Sequence, residues 1–213
     1  MTNYLPALTV GAALSAAACS AAENPAPAAK LTAAPAGTST TVPAAAGVPH
    51  YVQAPAGSTL TFSFIQAGAE NQGVFKQFAT ELNYDEKNLA AGSLKVAVQT
   101  GSFDTQDKDR NDTLAGADLL DPKKYPTAQF VATSLTRGAK GIEAAGKLTL
   151  HGVTKDLKLP LDIRTTATGA EISGETTIKR LDYGVGTGDW KSTEWVGDEV
   201  KLQYKVALTR TAK

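Results

Sequence analysis

The chain has 213 residues, and its 21 basic and 21 acidic side chains give a formal net charge of zero at neutral pH. This balance excludes a general electrostatic attraction to nucleic acids, so we predict no nucleic-acid partner. The single cysteine excludes an internal disulfide and a multi-cysteine metal site. His50 and His151 lie too far apart in sequence to suggest a histidine metal site, and we predict no metal and no cofactor.

Residues 1–19 have the pattern of an export signal. Residues 5–18 form an uncharged apolar run that is shorter than the roughly 20 residues of a membrane-spanning helix and typical of a signal-peptide core. The segment Leu14-Ser-Ala-Ala-Ala-Cys19 resembles a bacterial lipoprotein signal, in which the cysteine becomes the lipid-modified first residue. We predict a lipid anchor on Cys19; an ordinary secretory signal and an uncleaved anchor are the alternatives.

Residues 20–46 have the composition of a disordered linker. This stretch contains 11 Ala and 4 Pro, and its only charged residues are Glu23 and Lys30. Such a segment cannot bury enough apolar surface to offset the entropy of ordering it. The folded domain is therefore predicted at residues 47–213.

The rest of the chain alternates apolar and polar residues with a period of two, which predicts antiparallel strands. The clearest runs are 60–64, 94–98, 128–132, 157–163 and 202–208, with weaker runs at 72–84, 142–151 and 170–180. Turn signals separate them at Asp121-Pro122, Gly138, His151-Gly152, Gly169 and Gly184 through Gly188. We expect an all-β domain of eight or nine strands with one short helix near Thr113–Leu120. The pattern fits a sandwich or a closed barrel.

The sequence shows no convincing catalytic constellation. It contains neither a G-x-S-x-G elbow nor an H-E-x-x-H motif, and Cys19 belongs to the export signal. The carboxylates between Asp104 and Asp121 could hide a glycosidase-type acid pair, but they are more typical of a solvated loop. We predict no catalytic residues and a protein that is not an enzyme.

Several stretches in order match one family pattern. They are an alternating strand followed by G-x-F-x-x-F at Gly73, Phe75 and Phe78, the segment 100–126, and then AGKLTLHGVTK at 145–155, IKRLDYG at 178–184 and VGDEV at 196–200. Together they resemble the YceI-like family of bacterial envelope proteins over roughly residues 50–210. Two departures are Gln66-Ala-Gly68, where many members have H-x-G, and Leu119-Leu120, where paired aromatics are usual.

The resemblance implies an extended lipocalin-like antiparallel eight-stranded β-barrel with an apolar tunnel that holds a polyisoprenoid, such as a quinone tail or an isoprenyl phosphate. The predicted tunnel lining is the inward-facing set of apolar side chains; plain core packing is the alternative for each. These are Phe62, Phe64, Phe75, Phe78, Leu94, Val96, Val98, Phe130, Leu148, Leu150, Leu159, Leu161, Ile163, Ile172, Ile178, Leu202, Tyr204 and Val206.

Polar side chains in the loops are candidates to contact the ligand head group: Asp104, Arg110, Asp112, His151, Arg180 and Asp182. Arg180 and Asp182 could instead form an ion pair that ties a barrel corner. Trp190 and Trp195 could cap the mouth, touch a bilayer or simply anchor a loop.

The expected function is non-catalytic binding of an isoprenoid lipid. The alternatives are an enzyme acting on such a lipid or on envelope glycan, and a structural or stress-response interaction lipoprotein with a filled barrel. The expected partners are the isoprenoid lipid and, through the lipid anchor, the membrane; we also allow for a homodimer. The predicted location is the bacterial periplasm, with a soluble periplasmic protein as the alternative to an anchored one.

Overall fold

The computed structural model describes residues 47–138 and 141–211. The predicted signal peptide with Cys19 and the linker at 20–46 lie outside the described residues. Within them the chain forms eleven strands joined mostly by short connections. The strands are β1 (His50–Gln53), β2 (Thr59–Gln66), β3 (Ala69–Phe75), β4 (Phe78–Asn83), β5 (Ser93–Gln99), β6 (Phe103–Asp104), β7 (Thr127–Gly138), β8 (Gly141–Leu150), β9 (Val153–Thr165), β10 (Gly169–Lys179) and β11 (Val196–Arg210).

Helical structure in the described residues is limited to short elements. The α-helix α1 spans Lys108–Leu114, and four single-turn 3₁₀ helices lie at Leu89–Ala91, Thr100–Ser102, Arg180–Tyr183 and Gly188–Lys191. The sequence prediction placed the helix at Thr113–Leu120, which is wrong by about one turn and a half. The Asp107 side chain accepts a hydrogen bond from the Arg110 amide and starts the helix earlier, and the chain turns at Gly116.

The sheet closes on itself because β1 pairs with two strands. Residues of β1 pair with Leu82 of β4 on one side and with Leu208 of β11 on the other. All neighbours are antiparallel, and the ring runs β1-β4-β5-β7-β8-β9-β10-β11 and back to β1. This closure confirms the eight-stranded barrel and excludes an open sandwich.

The remaining strands lengthen the barrel on one side. The long strand β11 pairs with β1 near its end and with β2 over the stretch from Val196 to Lys205. β1 and β2 therefore lie side by side with β11 as two parts of one interrupted strand. The interruption covers residues 54–58, which include Pro55 and Gly57. β3 pairs with β2, and β6 pairs with β3, so the wall extends past the eight-stranded ring.

Two tight hairpin turns fix the register of this wall. His151 and Gly152 have φ angles of +50° and +77° between paired Leu150 and Val153. Ala67 and Gly68 adopt the same left-handed conformation between β2 and β3. Left-handed residues at both positions are the mark of the type I′ hairpin turn. The predicted turn at His151-Gly152 is confirmed.

The strand prediction found the main wall but missed its breaks. The predicted run 72–84 contains two strands, β3 and β4, separated at Lys76 and Gln77, and neither β1 nor β6 was predicted. β1 is only four residues long, and β6 only two, too short for alternation to be visible. The inward alternation itself holds, since Leu82, Leu94, Leu135, Leu161 and Ile172 are almost completely buried.

We predict that Gly146→Ala weakens the fold, because β7 bulges opposite this position. A Cβ at 146 would lie 2.7 Å from the Val131 carbonyl carbon and 2.8 Å from Ala132 Cα, and backbone atoms cannot move aside cheaply. Overpacking of this kind costs about 1–3 kcal/mol. Urea unfolding measures the change.

The matched control is Gly197→Ala in β11, where the nearest atom to the new methyl is Ile65 Cβ at 3.5 Å. It should change the free energy of unfolding by less than about 0.5 kcal/mol. Equal effects of the two substitutions would contradict the predicted steric role of Gly146.

Candidate functional site

The barrel encloses two adjoining cavities lined mainly by apolar side chains. The larger has a volume of about 430 Å³ and the smaller about 100 Å³. They share one stretch of wall formed by Leu60, Val98, Ala128, Leu148 and Leu202. The larger volume lies within the range of about 300–1,000 Å³ that is usual for small-molecule sites.

The alternation of the strands explains why these walls are apolar. Every second residue of a strand points inward, and the inward positions of β2, β5, β7, β8, β10 and β11 carry Phe, Leu, Val, Ile and Ala. Among the predicted tunnel residues, those of the larger cavity are Phe62, Phe64, Phe75, Leu150 and Ile178. Those of the smaller are Phe78, Leu94, Val96, Phe130, Leu159, Leu161, Ile172, Tyr204 and Val206, while Val98, Leu148 and Leu202 line both.

Ile163 is the predicted tunnel residue that lines neither cavity. Its side chain packs against the main core cluster instead. It lies in the short part of β9 that pairs with β10, where the two strands approach closely. Plain core packing, the alternative weighed for each position, therefore describes Ile163.

An aromatic group forms one wall of the larger cavity. The ring centroid of Phe62 lies 6.1 Å from that of Phe64 and 5.1 Å from that of Phe75. Gly73 on the neighbouring strand leaves room for the Phe62 ring, since a Cβ there would lie 2.7 Å from Phe62 Cε1. The glycine of the G-x-F-x-x-F element thus seats an aromatic side chain across the strand pair.

Helix α1 brings charged groups to the rim of the larger cavity. Asp107, Asp109 and Arg110 line it, and an Arg110 nitrogen lies 3.8 Å from a carboxylate oxygen of Asp107. The helix is held by Asn111, whose side chain bonds to Thr105 and to Asp104. Of the predicted head-group residues, Arg110 and Arg180 therefore reach the cavity.

Asp104, Asp112, His151 and Asp182 do not line either cavity. Asp104 accepts hydrogen bonds from Lys76, the Gln106 amide and Asn111, which together hold the pKa of Asp104 at about 2. Asp112 pairs with Lys108 on the exposed face of α1. These two carboxylates organise the loop around α1.

Arg180 fixes the loop that covers one side of the larger cavity. Its guanidinium is buried and donates hydrogen bonds to the carbonyl oxygens of Val185, Ser192, Val196 and Gly197, at 2.9–3.2 Å. Burial lowers the pKa of Arg180, and the negative charge of Asp198 opposes that shift. Arg180 therefore both lines the cavity and holds residues 184–197 in place.

The predicted ion pair between Arg180 and Asp182 is wrong. Asp182 points away and pairs with Lys155 of β9 at 3.0 Å, and both side chains are about half exposed. The guanidinium is satisfied by backbone carbonyls because the 3₁₀ turn at Arg180–Tyr183 directs the two side chains apart.

His151 lies in the β8–β9 turn beneath two loops. Its ring centroid is 4.1 Å from that of Tyr125, and it hydrogen-bonds to the backbone of Tyr183. Nε2 is buried and has no hydrogen-bond partner. Burial is the main cause that lowers the pKa of His151; Asp121 opposes the shift and Lys124 adds to it.

Sequence reasoning missed several lining residues from outside the strands. These are Leu114, Leu119, Leu120 and Val185, which come from α1, the turn after it and the 184–197 loop. No periodic signal marks a loop residue that folds back over a barrel end. Trp190 lines the larger cavity, whereas Trp195 is 69% exposed.

Two further findings concern the described residues alone. No group of three or more His, Cys, Asp or Glu side chains in residues 47–138 and 141–211 is placed to hold a metal ion. In the same ranges, no helix has the length and apolar character needed to cross a membrane.

We predict that Arg180→Lys destabilises the protein by about 2 kcal/mol or more, because lysine cannot reach four carbonyls and leaves buried acceptors unpaired. The control is Arg164→Lys, since Arg164 is 74% exposed beside Asp162 and should tolerate the change within about 0.5 kcal/mol. Denaturant unfolding compares the two. Similar losses in both variants would contradict the structural role of Arg180.

We predict that stability falls as the pH drops below 6.5, the ordinary pKa of histidine. The folded state disfavours protonated His151, so below that pH the unfolded state binds more protons and gains stability. His151→Asn keeps a residue suited to the left-handed turn and removes the titration. Unfolding curves from about pH 7.5 to pH 5 should show a shallower loss for His151→Asn than for the wild type. Parallel curves would count against the buried, neutral histidine.

The sequence of this chain is similar to those of known bacterial proteins. The family model for the YceI-like domain matches residues 51–208. Protein YceI of Escherichia coli O157:H7 is 41% identical over 121 residues, which cover 54% of this chain and 63% of that protein. A UPF0312 protein of Pseudomonas putida (strain KT2440) is 34% identical over 139 residues, covering 60% and 67%. The chain thus spans less than two thirds of the E. coli relatives.

Solved structures show the same architecture. BcnA of Burkholderia cenocepacia matches with a TM-score of 0.67 and 32% identity, over 70% of this chain and 95% of that one. A structure described as a polyisoprenoid binding domain from Saccharophagus degradans, implicated in plant cell wall breakdown, matches with a TM-score of 0.62. It is 16% identical, covers 77% of this chain and 99% of that one, and supports the fold alone. The barrel, its register and the match across residues 51–208 show that this chain belongs to the YceI-like family.

Proposed function

We propose that this protein is a non-catalytic lipid-binding protein of the bacterial envelope that holds a polyisoprenoid in its barrel. The observation that carries the proposal is the incompletely filled interior, in which two apolar cavities adjoin at a shared wall. A long flexible hydrocarbon is the kind of ligand that fits adjoining apolar spaces. Burial of apolar surface contributes about 25 cal/mol per Å² toward holding it.

The distribution of polar groups supports a ligand with a hydrocarbon tail and a polar end. Charged side chains line the larger cavity but not the smaller one: Asp107, Asp109 and Arg110 come from α1 and its cap, and Arg180 comes from the 3₁₀ turn at Arg180–Tyr183. The smaller cavity has only neutral side chains in its wall. A tail would therefore extend into the smaller cavity, while the head group stays beside α1. Two acidic and two basic groups suit a quinone as well as an isoprenyl phosphate.

The chemical class of the ligand is taken from the relatives. The Saccharophagus degradans domain of the same fold is described as polyisoprenoid binding. The low identity to that domain makes the isoprenoid class a proposal for this chain, to be tested by direct extraction.

The alternatives have less support. An interaction protein with a filled barrel lacks its premise, because the barrel holds about 430 Å³ of space in its larger cavity. An enzyme would need a nucleophile or an acid pair that converges in the tunnel, and of the two carboxylates that line the larger cavity Asp107 caps α1 and pairs with Arg110. Periplasmic location with a lipid anchor on Cys19, a soluble periplasmic form in its place, and a homodimer remain predictions from the sequence.

The proposal predicts that filling the space where the two cavities adjoin weakens ligand binding. Ala128 is buried and lines both cavities, so Ala128→Leu places a larger side chain where they adjoin. The tail should then bind about tenfold more weakly, which corresponds to about 1.4 kcal/mol. Stability should change by less than about 1.5 kcal/mol, because the added atoms enter free space.

The measurement is mass spectrometry of organic extracts from the full-length chain, purified from a bacterium that makes quinones and polyprenyl phosphates. Ala145→Leu is the matched control, since Ala145 faces outward on β8 and is exposed. Wild type and Ala145→Leu should carry a stoichiometric isoprenoid, and Ala128→Leu should carry clearly less. An empty wild-type extract, or equal loading of all three proteins, would contradict the proposal.

A further inference from the structure

The barrel wall has one seam where adjacent long strands stop pairing. The register of β9 with β10 covers four positions only, from Thr165↔Ala170 to Asp162↔Ser173. Beyond these, β9 pairs with β8 as far as Val153, and β10 pairs with β11 as far as Lys179. The two strands therefore run on as neighbours in the ring without a ladder between them.

Three residues explain why the ladder ends there. Pro160 has no amide hydrogen to donate across the seam. Its carbonyl oxygen accepts a hydrogen bond from the Tyr204 hydroxyl, which reaches over β10 from β11. Gly174 makes this crossing possible, because a Cβ at that position would lie 2.6 Å from the Tyr204 hydroxyl oxygen. The hydrogen bond from the Tyr204 side chain thus replaces the next backbone hydrogen bond between β9 and β10.

The inner side of the seam opens onto both cavities. Leu157 and Thr176 line the smaller cavity, and Ile178 lines the larger. On the outer side, Lys158 and Thr177 are exposed. Besides the Tyr204 contact, the described contacts across this part of the wall are the half-exposed ion pair between Lys155 and Asp182 and the apolar cluster in which Leu157 of β9 packs with Ile178 of β10.

Opening the wall is easiest at this place. Separating two strands elsewhere breaks a row of ladder hydrogen bonds, each with a net value of about 1 kcal/mol. At the seam, opening costs only side-chain contacts and an exposed ion pair, whose contribution is typically about 0–1 kcal/mol. A long tail that enters sideways also avoids being threaded end-first through the rim beside α1.

We propose that the seam between β9 and β10, beyond Pro160 and Gly174, is a lateral opening through which the hydrocarbon tail of the ligand enters and leaves the barrel. This inference rests on the proposed function, because it assigns a route to the same lipid. Along the strands, the Pro160–Gly174–Tyr204 contact marks the end of the opening next to the paired part of β9 and β10. The Lys155–Asp182 pair marks the other end.

The first experiment closes the seam covalently. Lys158 and Thr177 face outward and would be opposite each other if the β9–β10 register continued. Lys158→Cys and Thr177→Cys are introduced into the full-length chain with Cys19→Ser and joined by a short bis-maleimide. The control joins Thr177→Cys to Lys201→Cys, which are partners in the existing β10–β11 ladder. The probe is an NBD-labelled polyprenol supplied in phosphatidylcholine vesicles.

Closing the seam should slow transfer of the probe by about tenfold or more, with the same amount bound at equilibrium, and the control cross-link should leave the rate unchanged. Equal rates for all proteins, or equal slowing by both cross-links, would overturn the lateral route. Failure of the unmodified protein to take up the probe would overturn the proposed function and, with it, the assigned route.

A second measurement tests the seam without any ligand. Since the Pro160 carbonyl faces β10, strand alternation directs the amides of Asp156 and Lys158 toward the seam, and those of Leu157 and Leu159 toward β8. Hydrogen exchange followed by NMR should be about 100-fold faster at the first pair than at the second. Equal protection at the four amides would overturn the seam itself, whatever the ligand.

Discussion

The pairing of one short strand with two neighbours is the constraint on which the rest of the molecule depends. β1 contributes only four residues, yet it joins β4 to β11 and so turns a long sheet into a closed wall. Outside the seam between β9 and β10, the backbone of this closed wall satisfies its own hydrogen bonds without needing a solid interior. The strands can therefore surround empty space, as a packed sandwich cannot. Without β1, the sheet would stay open and β4 would be one of its edges.

The helix and loops that cover the open end of the barrel are held by contacts other than strand pairing. The strands supply a uniform apolar lining, but they leave the barrel open beside β6 and β8, where a helix and two loops fold over. These segments bury apolar side chains such as Leu119 and Val185, and polar contacts hold their backbone: Asp107 caps α1, and Arg180 donates hydrogen bonds to four carbonyl oxygens. Two of the groups that hold these segments, Asp107 and Arg180, also line the cavity, so part of the polar rim consists of residues with a structural role.

The barrel wall could be predicted from the sequence because inward and outward positions alternate over long stretches. The run from Leu157 to Ile163 and the run from Leu202 to Leu208 both lie in observed strands, and their apolar residues face inward. β1 and β6 are too short to show alternation, and the true start of α1 depended on a cap at Asp107. Ile163 has the pattern of a lining residue but packs in the core, since periodicity gives direction and not free volume. The partner of Arg180 could not be predicted either, because backbone carbonyls leave no trace in sequence.

The two ends of the described chain meet at one end of the barrel. The Thr211 amide donates a hydrogen bond to the His50 carbonyl at 2.9 Å, beside the pairing of β1 with the last residues of β11. The rim lies at the opposite end of β11, where Val196 and Gln66 line the larger cavity. At about 3.3 Å per residue, the path along this fifteen-residue strand is at most roughly 46 Å, and the tilt of barrel strands makes the separation along the barrel shorter. The described chain therefore begins and ends at the end of the barrel opposite the polar rim.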